Sequence, residues 1–235
     1  MKILARFQVL SVSVLAIAAL ILGLQTTAQA VPLLEIKVSS GGSSYTVIDN
    51  TANDDNPNVG VVSVNDPING WQVNVALGTS ESPNAFLDIT GNAKNTGAGS
   101  GANALIIEAT DVDYIGAVGG IASFTYNVGG TVGAGIGNNA VFNSWVDDGN
   151  NPFIHTSLIS TLGPFGPGGF SQNGSGSGPA TDPFSLSNAI TISHATVGAT
   201  SSFNGELSGV PEPGSLFLLG SGLIGLGWLK RKRNS

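Results

Sequence analysis

The side chains best placed to do chemistry in this sequence are aspartates and asparagines. Asp49, Asn53, Asp54, Asp55 and Asn56 crowd into eight residues, and Asp147, Asp148, Asn150 and Asn151 into five. Asp111 and Asp113 alternate, so in a strand they would share one face. Hard divalent cations such as calcium take several oxygen ligands from carboxylates, amides and carbonyls, and loops of this composition supply them. That chemistry gives a calcium reading for Asp49, Asp54, Asp55, Asp111, Asp113, Asp147 and Asp148. The register of a helix-loop-helix calcium loop is not met: counting from Asp49, the sixth position is Asp54 instead of glycine and the twelfth is Gly60 instead of glutamate. The competing reading is that these residues build tight turns, because their short side chains bond their own backbone.

Signals for catalysis are sparse. The two histidines, His155 and His194, each sit in a β-patterned run, and there is no cysteine to act as a thiol nucleophile. Neither Gly-x-Ser-x-Gly nor His-Glu-x-x-His occurs. A glycosidase would need two carboxylates about 5 to 10 Å apart, contributed by distant strands and leaving no local trace. The glycines at 133, 135 and 137 lack the following helix of a phosphate cradle and read as a hairpin connection.

The elements that must position these groups follow a period of two. Trp71, Val73, Val75 and Leu77 alternate with Gln72, Asn74 and Ala76, which places the first set on one side of a strand. Similar runs cover 34–38, 45–48, 59–64, 85–89, 105–109, 121–128, 141–146, 154–162, 184–192 and 202–207, separated by clusters of Gly, Asn, Asp and Pro. The pattern predicts an all-β domain, an antiparallel β-sandwich or jelly roll. Residues 92–104 and 163–183, dominated by small and turn-forming residues, are expected to be long loops. Trp71, Trp145, Tyr45, Tyr114 and Tyr126 are expected to fill the core.

Charge and the two ends set the destination. Residues 31–209 carry two basic against fourteen acidic side chains, a formal charge of −12, which repels phosphate backbones and excludes nucleic acid as a partner. Lys2 and Arg6 precede the apolar stretch 9–24, and Ala28-Gln29-Ala30 supplies the small residues that signal peptidase requires, so residues 1–30 read as a signal peptide. At the other end Val210-Pro211-Glu212-Pro213 leads into fourteen apolar residues, 216–229, and then Lys230-Arg231-Lys232-Arg233. As a helix the apolar run rises about 21 Å at ~1.5 Å per residue, against a hydrocarbon core of roughly 30 Å. Such a single transmembrane sorting helix holds a chain transiently, with its basic end retained in the cytoplasm. Pro211 and Pro213 keep the approach to it extended.

The order of triplet, short apolar helix and basic end resembles the PEP-CTERM sorting signal of Gram-negative bacteria. The resemblance covers 210–235, leaving 31–209 as the mature acidic domain. It implies processing near Val210, Pro211, Glu212 and Pro213 by an exosortase-like membrane protease. It also implies a final place at the cell surface or in an extracellular matrix associated with exopolysaccharide or biofilm. The chain thus reads as an exported structural or adhesive protein, not an enzyme. A carbohydrate-binding module is the alternative, distinguished by Trp71 or Trp145 standing exposed beside polar side chains. An enzyme acting on matrix polysaccharide comes after it.

Overall fold

The computed structural model describes residues 34–80, 85–97, 103–117 and 119–210, all within the unit Pro32–Ser235. The signal-peptide site at Ala28 and Ala30, the triplet Pro211-Glu212-Pro213 and both apolar stretches lie outside the described residues. The described chain forms thirteen strands and no helix. They are β1 (Glu35–Ser40), β2 (Ser43–Ile48), β3 (Val61–Val64), β4 (Pro67–Ile68), β5 (Trp71–Ser80), β6 (Phe86–Asn95), β7 (Leu105–Tyr114), β8 (Ile121–Val132), β9 (Asn139–Asp147), β10 (Ser157–Phe165), β11 (Gly168–Pro179), β12 (Phe184–Ser193) and β13 (Thr200–Gly209).

Two antiparallel sheets result. The first runs β10-β9-β12-β7-β1-β2 and the second β11-β8-β13-β6-β5-β3, with β4 also on β5. Alternation supplies the core between them. On β5 the inward Trp71, Val73, Val75 and Leu77 are at most 1% exposed while Gln72 and Asn74 face water. Each such buried side chain contributes roughly 1.5–3 kcal/mol before chain entropy is subtracted. From the first sheet Ile36, Ile107, Phe142, Leu186 and Ile190 meet Leu87, Ile89, Phe124, Tyr126 and Phe203 from the second in one continuous cluster. Asn188, buried on β12, reaches across to donate to the carbonyl of Leu87. The architecture is a β-sandwich.

Three expectations are corrected. Residues 163–183 are no loop: β10 continues to Phe165, and β11 pairs with β8 from Gly168 opposite Val132 to Pro179 opposite Ile121. The inward positions of β11 are Gly174, Gly176 and Gly178, where any Cβ would run into the edge of the first sheet, against Ser160 and the Ile159 carbonyl of β10 and against Val146 of β9 or Ser157 of β10 respectively. An alternation of glycine and serine is thus a strand whose inner face is bare, so that one sheet's edge can lie close on the other's. Likewise Asn92 to Asn95 belong to β6, paired with β5 on one side, and Thr96 and Gly97 follow it outside any strand. The glycine-rich run near 129–137 is divided: Gly129 to Val132 end β8 in the second sheet, and a turn from Gly133 leads to β9 in the first. It therefore joins two layers instead of closing a hairpin.

Candidate functional sites

Trp71 is fully buried, and so are Tyr114 and Tyr126 to within 2%, as the core reading expects. Trp145 departs from it. On β9 the inward set is Phe142, Ser144 and Val146, so Trp145 points outward and is half-buried, whereas Tyr45, also half-buried, packs against the core. The ring of Trp145 is stacked on His155, with centroids 3.8 Å apart and planes 10° from parallel. His155 Nε2 in turn lies 2.5 Å from Glu108 Oε1 on β7. His155 stands before β10 and not within a strand.

The His155 stack is one of several fasteners that hold segment 148–156 across the outer face of the first sheet. Phe153 donates its backbone N–H to Thr110 Oγ1 at 3.3 Å, and Ser185 Oγ donates to the Asn151 carbonyl at 2.8 Å. Asn150 and Asp113 bond reciprocally: Asp113 N–H donates to Asn150 Oδ1 at 2.8 Å and Asn150 Nδ2 to Asp113 Oδ1 at 2.7 Å. Lys37, cross-strand from Glu108, places Nζ 5.5 Å from the Phe153 ring centre. The result shows in burial, for the outward residues Thr110, Ser185 and Ser187 are at most 1% exposed. Phe153 adopts a φ of 57°, uncommon for a bulky residue and held by its surroundings, while Asn150 at 54° is in a region that asparagine enters readily. Glu108, Lys37 and Phe153 had no signal in sequence, since what unites them is register across strands.

The acidic groups separate into turn anchors. Asp54 accepts from the backbone N–H groups of Asn50, Asn56 and Ser63, and Asp55 from that of Asn65. Asp49 accepts from Gly60 N–H at 2.8 Å, while its other oxygen is buried without a hydrogen-bond partner among the described residues. Asp147 holds the start of the covering segment through Thr156 and through both N–H groups of Asn151. Burial alone would raise its pKa, but these donors together with Gly149 bring it below the ordinary aspartate value. Asp148 accepts from Thr181, and Asp111 from Val112 N–H. Asp113 has a φ of 65°, which breaks the strand alternation that would have put it beside Asp111. Among the described residues no three of His, Asp and Glu gather at one point.

His194 follows the end of β12, as its sequence setting suggests, and is 3% exposed. Its Nε2 lies 2.6 Å from Ser201 Oγ, and its ring meets Trp71 at 5.0 Å. A serine and a histidine at this distance have the spacing of a nucleophile and its base, but Ser201 is 1% exposed and its oxygen accepts from Gly133 N–H. Burial lowers the pKa of His194 and keeps the ring neutral. The pair ties the Gly133 turn to β13 inside the fold.

These features define an all-β sandwich whose last described strand ends at Gly209, with Val210 pinned by a 2.8 Å bond from its N–H to the Ser123 carbonyl. From that strand's end onward the chain carries a PEP-CTERM protein-sorting motif, matched over residues 209–232. That motif marks an exported protein, transiently anchored in a membrane and handled by an exosortase-type protease. Among curated proteins none matches the chain. Solved structures that the chain is similar to include three carbohydrate-related or adhesin domains at low TM-score. The K1 cleaved adhesin domain of Lys-gingipain from Porphyromonas gingivalis has 10% identity and a TM-score of 0.30, covering 65% of this chain and 98% of its own. The CBM22-1-GH10 modules of Clostridium thermocellum xylanase 10B have 14% identity and a TM-score of 0.33, covering 64% and 28%. The CBM22-1 xylan-binding domain of Paenibacillus barcinonensis Xyn10C has 14% identity and a TM-score of 0.26, covering 65% and 94%.

Proposed function

We propose that this is a non-enzymatic surface protein, led out by a signal peptide cut after Ala30, paused by a transmembrane helix at 216–229, and released near Val210-Pro211-Glu212-Pro213. Its sandwich then serves as a structural or adhesive part of an exopolysaccharide-containing matrix. The observation that carries this reading is the coincidence of two boundaries. The last described strand ends at Gly209 and the sorting motif is matched from the same residue, so the folded domain and the processing signal abut, and Pro211 and Pro213 disfavour continuation of regular structure into the signal.

The test is a mass measurement of the protein recovered from its host. The expected species begins at Val31 and lacks Lys230 to Ser235. Surface material with those six residues intact, or a chain lacking 211–235 that reaches the same destination with the same maturation, overturns the proposal.

A further inference from the structure

Among the described residues, no segment covers the outer face of the second sheet as 148–156 covers the first. Its outward residues Gln72, Asn74, Asn92, Asn127, Thr131 and Asn204 are all exposed. Between β11, β8 and β13 this surface dips into a wide, solvent-open depression of about 500 Å³ lined by Asn127, Gly129, Ser171, Gln172, Asn173 and Asn204. Register explains its shape. Asn173 pairs with Asn127 across strands, and Gly129, two residues along on the same face, leaves a bare floor beside them.

An amide offers a donor and an acceptor at one end, the complement of a sugar's paired hydroxyls, each of which also donates and accepts. At the rim Asn204 Nδ2 donates to Asp88 Oδ1 at 3.0 Å, and Glu206 is the cross-strand partner of both Asp88 and Asn127. Two carboxylates directly opposite each other cost stability. Burial pushes Asp88 above the usual range, Asn204 works against that, and the charge of Glu206 adds to it. Among the described residues the side-chain bond recorded for Glu206 comes from Ser208 Oγ, two residues along, at 3.0 Å, so the fold gains little from the juxtaposition. Hydroxyl donors from a bound chain would satisfy both groups with short, charge-assisted bonds, whereas a polyanion would be repelled.

We propose that this cavity binds a neutral polysaccharide, its hydroxyls held by Asn127, Asn173 and Asn204, with Asp88 and Glu206 accepting from it at the rim. The site rests on the matrix reading for its setting and adds the ligand class and its place. Both carboxylates stand on the same flank of the cavity, on neighbouring strands, so they hold sugar from one side and do not bracket a glycosidic bond as a hydrolase pair does.

The test is affinity electrophoresis of the full chain in mild non-ionic detergent, through gels containing β-1,4-xylan, β-1,4-mannan or α-1,6-dextran, with alginate as the anionic comparison. Retardation is expected in a neutral gel, and it should persist at about 0.5 M salt, where surface charge acts over only a few ångströms. Gly129→Val should weaken it by about tenfold or more. A Cβ at Gly129 meets nothing nearer than the Phe170 carbonyl at 3.7 Å, so this variant fills the cavity and leaves the strand intact. Asn127→Ala, on an exposed position, should weaken it similarly with an unchanged melting temperature. Retardation by none of the neutral polymers, by alginate alone, or undiminished in Gly129→Val overturns the proposal. Release of reducing ends overturns the assignment of binding without hydrolysis. A chain with correctly processed ends that binds none of these sugars refutes the cavity assignment and leaves the sorting reading in place.

Discussion

The two outer faces of the sandwich are built from the same alternation and end up opposite in character. On the first sheet one patch of the outward face is closed over: Thr110, Ser185 and Ser187 are as dry as the core, because segment 148–156 is fastened across them. On the second sheet the outward row of amides and hydroxyls is open to water and dips into a cavity. What differs is the connection. β9 and β10 are neighbours in the first sheet, and their link is long enough to cross β12 and reach β7 before returning. The second sheet meets the edge of the first at β11, and there closeness is achieved by glycine, not by a covering loop.

That contrast is broken most severely at the seam. Gly176→Val should cost about 3 kcal/mol in denaturant unfolding, because its Cβ would meet the Ile159 backbone and force β11 off β10. The same substitution at Gly129, on the open side of the sheet, should stay within about 0.5 kcal/mol. Trp145→Ala should cost about 2 kcal/mol, since it removes a half-buried ring and the stack that holds His155. Its sharper signature is local: limited proteolysis should open the chain within 148–156 while β11 and β13 remain protected.

Most of this architecture is legible in the sequence, and the parts that are not share a cause. Strands such as Trp71 to Leu77 announce themselves because apolar and polar residues alternate. β11 does not, because its inner face is selected for smallness, and the pattern of Gly174, Gly176 and Gly178 carries no hydrophobic signal. Trp145 misleads for a related reason: Val141 and Trp145 point outward while Ser144 points inward, fully buried, so polarity gives the wrong face for β9. The covered face and the cavity depend on long-range register, Lys37 opposite Glu108 and Asn173 opposite Asn127, which no local pattern encodes. The acidic clusters were readable as turn chemistry, but their partners, such as Asp113 with Asn150 and Asp148 with Thr181, come from other elements.

Acid should separate the core from the cover. Burial lowers the pKa of His194, so below its ordinary value of 6.5 the unfolded chain takes a proton that the folded one resists. Stability should therefore decline as pH falls below about 6.5, and His194→Gln should flatten that limb of a melting-temperature profile. Asp147 is displaced downward from 3.8, so its contribution is complete above that value and is lost as pH falls through the lower folded value. Asp147→Asn should flatten only this more acidic limb, and its wild-type loss should coincide with proteolytic opening of 148–156.

Calcium supplies the smallest expected change and the cleanest check on how the cover is held. If the carboxylates of Asp54, Asp113, Asp147 and Asp148 serve as acceptors for N–H and hydroxyl donors, a cation must displace those bonds before it can bind. Millimolar calcium should then leave the melting temperature unchanged. A cation held by the fold would behave otherwise: at a hundred times its dissociation constant it would add about 2.7 kcal/mol, a rise of several degrees for a domain of this size. Asp49 sharpens the choice, because one of its oxygens is buried without a donor. A calcium-dependent rise abolished by Asp49→Asn but not by Asp147→Asn would place a cation at the turn before β3, away from the cover. A rise abolished by Asp147→Asn would mean that the first face is closed by a metal and that its difference from the open face is set by ion supply, not by sequence alone.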